Sequence, residues 1–310
     1  MTPAALGTVY VVWGSTYLAI RVMVETMPPL LAAGVRFGVA GAIFLVVLRL
    51  RGGPGKVRAT HRELLGAALI GNLLCFGGNG LVTVAERDVP SGLAALIIGS
   101  VPLWVVVLRS IHGDRVPRGT LAGVLVGFAG LAVLVLPGDR PGHAPLGWLL
   151  VIVAASISWA SGSFYSRRTS LPREALVSTG WQMLFGGAGM VLVGTVTGEW
   201  ASLNADRFST NSLLAFAYLI VFGSLLAFTA YVWLLRNAPI STVATYAFVN
   251  PVIAIFLGWA ILSEEITATV VAGAAAIVLS VAAVVRRESG HPASEELDYA
   301  APIQRVEQGG

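Results

Sequence analysis

Arg36 is the one charged side chain placed well inside a long apolar stretch of this 310-residue chain. An ion in such surroundings is costly and usually faces a cavity or a partner. Two uses suit it: pairing with a solute carboxylate, or snorkelling outward to cap helix carbonyls. Asn72, Asn79 and Glu86 recur every seven residues, with Cys75 and Phe76 between them. Seven residues are nearly two helical turns, so all three are expected on one face. Buried amides need hydrogen-bond partners, supplied either by a passing solute or by a neighbouring helix. Glu86, at the end of its stretch, reads as a solvated interfacial charge. Thr242, Tyr246 and Asn250 step by four residues and form a second polar stripe. Trp13 and Trp159 can line a cavity or pack in the core. Pro102 and Pro251 each remove a backbone hydrogen bond in mid-stretch and should kink it, as gates or hinges or simply as shape.

Other chemistries lack their residues. His61, His112, His143 and His291 all fall in loops or in the tail, and no carboxylate pair lies in the middle of an apolar stretch. No metal site and no cofactor are expected. The single cysteine, Cys75, forbids an internal disulfide and reads as a small packing residue. A phosphate-binding Walker loop is absent, as is a Gly-x-Ser-x-Gly nucleophile elbow. Glu264-Glu265 is the only acidic pair near a helix end, too little for an intramembrane lipid-modifying enzyme. The chain therefore reads as no enzyme. Energy coupling stays open between downhill movement and proton exchange, and the missing central carboxylate favours weak or no coupling.

The stretches that must position these residues dominate the composition. Hydrophobic residues make up 56% and charged residues 12%, against about a quarter charged in ordinary globular chains. Runs such as 121–136 and 252–262 are apolar on every side, which suits a bilayer. Ten spans follow: 5–24, 29–49, 64–84, 91–110, 118–137, 146–165, 176–197, 212–235, 241–262 and 267–286. Backbone groups cannot go unpaired in lipid, so all ten must be helices. Pro28-Pro29, Pro90, Pro117, Pro137, Pro172 and Pro239 sit at or beside their ends. The first span lacks a basic leader and a small-residue cleavage site, and reads as a structural helix. Residues 287–310 are polar and read as a disordered tail.

The net charge of +4 reflects membrane orientation rather than nucleic-acid binding. Fifteen of the twenty Lys and Arg residues fall on one side of the alternating loops, among them Arg49, Lys56, Arg109, Arg167, Arg236 and Arg286. The other side holds only Arg87, Arg140 and Arg207. By the positive-inside bias both termini are cytoplasmic.

The chain also aligns with itself. At an offset of 146, Trp13-Gly14-Ser15-Thr16 faces Trp159-Ala160-Ser161-Gly162, and Gly34-Val35-Arg36-Phe37 faces Gly180-Trp181-Gln182-Met183. At 149, Pro90 and Pro102 meet Pro239 and Pro251. Gly123 meets Gly273 after one more residue. Each half holds five helices, an odd number, so the halves enter the bilayer from opposite sides and should be related by a two-fold axis in its plane. That is carrier architecture. Tyr246 and Asn250 lie opposite apolar Ile97 and Val101 in this alignment, so a cavity between the halves is expected to be polar on one wall and apolar on the other. Gly119, Gly123 and Gly127 form a groove for close helix packing; a dimer contact is the alternative, and a monomer is favoured.

Trp13-Gly14-Ser15-Thr16-Tyr17, Arg36-Phe37, Val89-Pro90-Ser91-Gly92-Leu93-Ala94, Ala238-Pro239, Asn250-Pro251 and Glu264-Glu265 together resemble the EamA-type drug/metabolite exporters. The resemblance covers residues 5–286 as two EamA domains, 5–137 and 146–286. It implies an all-α integral membrane protein of the bacterial inner membrane that exports small metabolites or drugs. It implies further that helices 1–4 and 6–9 line the cavity while 5 and 10 stay peripheral. The candidate solute contacts are Trp13, Tyr17, Arg36, Asn72, Asn79, Trp159, Gln182, Thr242, Tyr246 and Asn250, with Pro102 and Pro251 as gates. The expected partners are a small-molecule solute and the lipid bilayer. A flippase for a lipid-linked sugar is the closest rival within transport.

Overall fold

The computed structural model describes residues 1–114, 116–135, 144–238, 243 and 245–289. Arg115, Pro137, Arg140, His143, Pro239, Thr242, and the tail from 290 onward lie outside the described residues. Among those described there is no strand. The helices are α1 (Thr2–Met23), α2 (Pro29–Gly52), α3 (His61–Ala85), α4 (Ser91–Ile111), α5 (Arg118–Val135), α6 (Leu146–Ser166) and α7 (Ala175–Val196). They continue with α8 (210–237), α9 (Tyr246–Leu262) and α10 (Ala268–Ser289). Nine are long and apolar enough to cross a membrane, and α9 is a shorter apolar helix among the described residues. Large apolar side chains such as Leu125, Leu192, Phe256 and Val271 point outward unburied. A bilayer tolerates that surface; water does not.

Helix starts follow from elementary chemistry. Thr60 and Glu63 form a reciprocal capping box that opens α3. The free N–H groups that begin α2 and α4 are met by carboxylates from the other half of the chain. Glu199 accepts from the Leu30 and Leu31 N–H groups at 3.2 and 2.9 Å. Glu264 accepts from Ser91 and Gly92 at 2.7 and 3.1 Å. An anion there satisfies orphan donors and complements the helix dipole.

Most of the larger packing pairs obey one exchange rule. α2 packs on α7, α4 on α9, and α5 on α10. α1 packs on α8 and α9; correspondingly, α6 packs on α3 and α4. Replacing each helix by the one five places along leaves this set unchanged. The register shows the sense of the symmetry. A Cβ on Gly34 would lie 2.8 Å from the Gly187 carbonyl oxygen, and one on Gly41 would lie 2.6 Å from that of Gly180. Low numbers on α2 thus meet high numbers on α7, so equivalent helices run antiparallel. The same holds where Gly123 meets Val284 and Gly273 meets Leu134. Equivalent helices that run antiparallel are related by a two-fold axis across their length, as in inverted repeats. Gly123 and Gly127 pack against α10 through Val284 and Ser280. The glycine groove of α5 is therefore filled within the chain.

Two departures from regular helix matter for the site. α3 passes through a π-helical segment at Asn72–Gly80, and α8 through one at Leu219–Leu226. The first maps onto the second at the repeat offset. α4 breaks between Ile98 and Val101, so Pro102 lies in the first turn of a fresh helical run, where its missing N–H costs nothing. Only Pro251 lies inside a continuous helix. Its ring packs against the α4 break, 3.1 Å from where a Cβ on Gly99 would be. The expected pair of kinks is thus one break and one in-helix proline in contact.

Candidate functional site

A cavity with about 840 Å³ of empty space lies between the halves. α1 contributes Trp13, Thr16, Tyr17 and Ile20; α2 contributes Arg36; α3 contributes Gly78, Asn79 and Val82. α4 lines it at Ala95, Ile98, Gly99, Val101 and Pro102, and α6 at Trp159. Phe228 of α8 and Tyr246, Ala247, Asn250 and Pro251 of α9 complete the wall. The α4 side is apolar and the α9 side carries Tyr246 and Asn250.

Arg36 is 2% exposed and turned inward. Its Nε donates to Ser224 Oγ at 3.0 Å, and its guanidinium lies 4.6 Å from the centroid of the Phe37 ring. Its Nη1 has no hydrogen-bond partner. Asn250 is likewise buried with Oδ1 unpartnered. A buried donor and a buried acceptor left open in one cavity are costly unless something fills them. The Asn79 amide donates to the Leu74 carbonyl, weakly, at 3.4 Å.

The aromatic wall is built around Trp13. Its ring sits 5.3 Å from Phe228, 5.0 Å from Tyr231 and 5.3 Å from Tyr246, two of these contacts being edge-on. Its indole N–H donates to the Gly223 carbonyl within the π segment of α8. Trp159 lies against Gly78 in the π segment of α3, where the lack of a side chain makes room for the ring.

Two expected solute contacts lie elsewhere. Asn72 donates to the Ala68 carbonyl at 2.8 Å and places Oδ1 against Gly189 of α7. Gln182 donates to Ser178 at 2.8 Å, and its backbone abuts Gly71. The π segment explains Asn72. A backbone bonded at i→i+5 turns less per residue than an α-helix, so the seven-residue series loses its common face. α7 supplies no lining residue, which corrects the expectation that all eight inner helices line the cavity. Its glycines seat it so closely on α2 that it packs as a backing layer. Thr16 and Ile20 share the helical face of Trp13 and were legible by spacing; Phe228, within an apolar run, carried no signal.

A profile of the EamA-like transporter family matches residues 4–136 and again 146–286. The chain belongs to the EamA-like transporter family. The EamA-like chain is 40% identical over 264 residues to the inner membrane transporter YedA of Escherichia coli (strain K12), covering 85% of this chain and 83% of that one. It is 26% identical over 295 residues to the transporter YvbV of Bacillus subtilis (strain 168), covering 94% of each. It is 27% identical over 282 residues to a protein of Salmonella typhimurium named a probable amino-acid metabolite efflux pump, covering 87% and 90%. A solved crystal structure at 20% identity superposes with a TM-score of 0.64 over 94% of this chain and 99% of the other, which shows a shared fold. This EamA-like protein is thus a multi-pass inner membrane protein of transporter kind.

Two acidic residues of the EamA-like chain take places that composition did not suggest. Glu264 caps α4, as described above. Glu86 is 0% exposed, and neither carboxyl oxygen has a hydrogen-bond partner. It is therefore no solvated interfacial charge, and the Arg21 guanidinium of α1 donates to the backbone carbonyls of Glu86 and Arg87.

Proposed function

We propose that this protein is a secondary carrier that exports small amphipathic solutes bearing a carboxylate, amino acids among them, through the central cavity by alternating access. The observation that carries this reading is the open Nη1 of Arg36 beside an aromatic wall. A guanidinium is suited to a carboxylate, and Trp13 and Tyr246 offer apolar faces to the rest of the solute. The unpartnered Asn250 oxygen can accept from an amino group. The relative named as an amino-acid metabolite efflux pump supports this substrate class. Loop charges favour cytoplasmic termini, which puts the Arg36 end of the cavity toward the outside.

The inverted halves supply the mechanism. Each half packs against the other in two nearly equivalent ways, and exchanging the two exposes the cavity on alternate sides. The test is counterflow into proteoliposomes with a panel of labelled amino acids and organic acids. Wild-type protein is expected to move at least one carboxylate solute faster than empty vesicles. Movement of neutral or cationic solutes alone would count against the role given to Arg36.

A further inference from the structure

Glu86 has no task in the reading above, yet it follows closely on a residue of the cavity wall. Val82, one turn before it, lines the cavity, as do Tyr17 and Arg36, both of which feel its charge. An ionised carboxylate buried without a partner costs several kcal/mol. The groups around it are already occupied or open. Arg21 of α1 serves the backbone carbonyls. Glu264, from the α9–α10 loop, holds the start of α4. Arg36 of α2 bonds Ser224 and leaves Nη1 free. Arg87 and Asp88 follow Glu86 in its own loop. α6 brings apolar side chains, Leu149, Ile152 and Ala155 among them, to the cluster that holds Val82 and Ala85. Among the described residues no ion pair reaches Glu86. Burial above all, and then the nearby Glu264, holds the Glu86 carboxyl well above the ordinary carboxylate range, against the pull of Arg21 and Arg36.

We propose that Glu86 is a proton-binding site, and that its deprotonated form competes with the solute carboxylate for Arg36. In the structure described, Arg36 keeps an open donor and Glu86 stays apart from it. Loss of the proton (–COOH → –COO⁻ + H⁺) makes Glu86 an anion that must find a cation; Arg21 and Arg36 both pull on it, and of these two it is Arg36 that lines the cavity with a free Nη1. Pairing of the two closes the solute site. Proton and solute anion are therefore bound together and cross together, so that a carboxylate leaves with its charge neutralised. The competition rests on the anion role of Arg36; the proton site does not.

Infrared spectroscopy of the purified full-length protein tests the proton site without any solute. At pH 7 the wild type is expected to show a protonated-carboxyl band that Glu86→Gln lacks and that falls as the pH of the wild type is raised. Glu86→Gln mimics the protonated form and should fold with an unchanged melting temperature. Should it fail to fold, the wild-type titration still decides. Identical spectra for both proteins, or a wild type with no such band, overturn the proposal. Phenylacetate binding tests the competition. Wild-type affinity is expected to fall about tenfold per pH unit above the Glu86 midpoint, while Glu86→Gln stays flat at the tight, low-pH value. A pH-dependent Glu86→Gln overturns the competition. No phenylacetate binding at any pH counts against the anion role of Arg36 and the competition with it, leaving the infrared band to decide the proton site.

Discussion

Trp13 and Trp159 occupy equivalent places in the two halves, yet only Trp13 donates its indole N–H to a protein carbonyl, that of Gly223 at 3.3 Å. Repeat symmetry sets Gly77 opposite Gly223, and Trp159 lies beside it, over Gly78. In the exchanged state Trp159 should donate to Gly77 and Trp13 should let go. Trp13→Phe removes one hydrogen bond of about 1 kcal/mol and should shift the balance roughly fivefold toward the exchanged state. Trp159→Phe should shift it the other way by a similar factor. Distances between spin labels on the α2–α3 and α6–α7 loops report the balance. Shifts in the same direction would rule out a paired switch.

Arg36→Gln deletes the charge while keeping some hydrogen bonding. A charge-assisted bond contributes roughly 1.5–3 kcal/mol, so carboxylate solutes should bind roughly 10- to 150-fold more weakly. The half-saturating concentration in counterflow measures this. An equal loss for a neutral analogue of the same size would show that Arg36 only shapes the cavity.

Polarity made much of this site legible. In spans so apolar, Arg36, Asn79, Tyr246 and Asn250 stood out because a bilayer makes each of them expensive, and all four line the cavity. The repeat was legible because Trp13, Gly34, Pro102 and Gly123 have counterparts at nearly constant offsets. Asn72 falls off the expected face because seven-residue spacing assumes an α-helix, and the π segment has no side-chain signature to warn of it; Glu86 reads as solvated from its place at the end of the span, and only the packing of the fold buries it. Gln182 stands opposite Arg36 in the repeat, but symmetry of position does not carry symmetry of exposure: α7 backs α2 while α2 brings Arg36 to the cavity. Glu264 gave no hint of its role, since capping by a residue 173 positions away is a property of the fold alone.

The α2–α7 contact predicts a sharp steric limit. A Cβ on Gly34 would meet the Gly187 carbonyl oxygen at 2.8 Å, and one on Gly187 would meet that of Gly34 at 2.7 Å. Gly34→Val and Gly187→Val should each destabilise the protein by about 1–3 kcal/mol. Gly38→Ala, which meets nothing within 4 Å, should be nearly neutral. Melting temperatures in detergent compare them. A Gly34→Val variant as stable as Gly38→Ala would mean that the helices do not meet at these glycines.

Glu264→Gln tests the cap that ties the second half to α4. It removes the anion facing the Ser91 and Gly92 N–H groups, an interaction of roughly 1–2 kcal/mol in partly buried settings. The melting temperature should drop, and hydrogen exchange at Ser91 and Gly92 should quicken before that of the rest of α4. Unchanged exchange there would show that water can replace the carboxylate.

The most direct test of the account is to plug the cavity. Ile98 lines it on the apolar α4 side, and Cys75 is the only native cysteine, so Ile98→Cys in a Cys75→Ala background gives a single reactive thiol. Solute counterflow should survive the substitutions and collapse when a benzyl thiosulfonate reagent modifies the thiol, with saturating solute slowing the modification. Undiminished flux through fully modified protein would contradict a central path between the two halves.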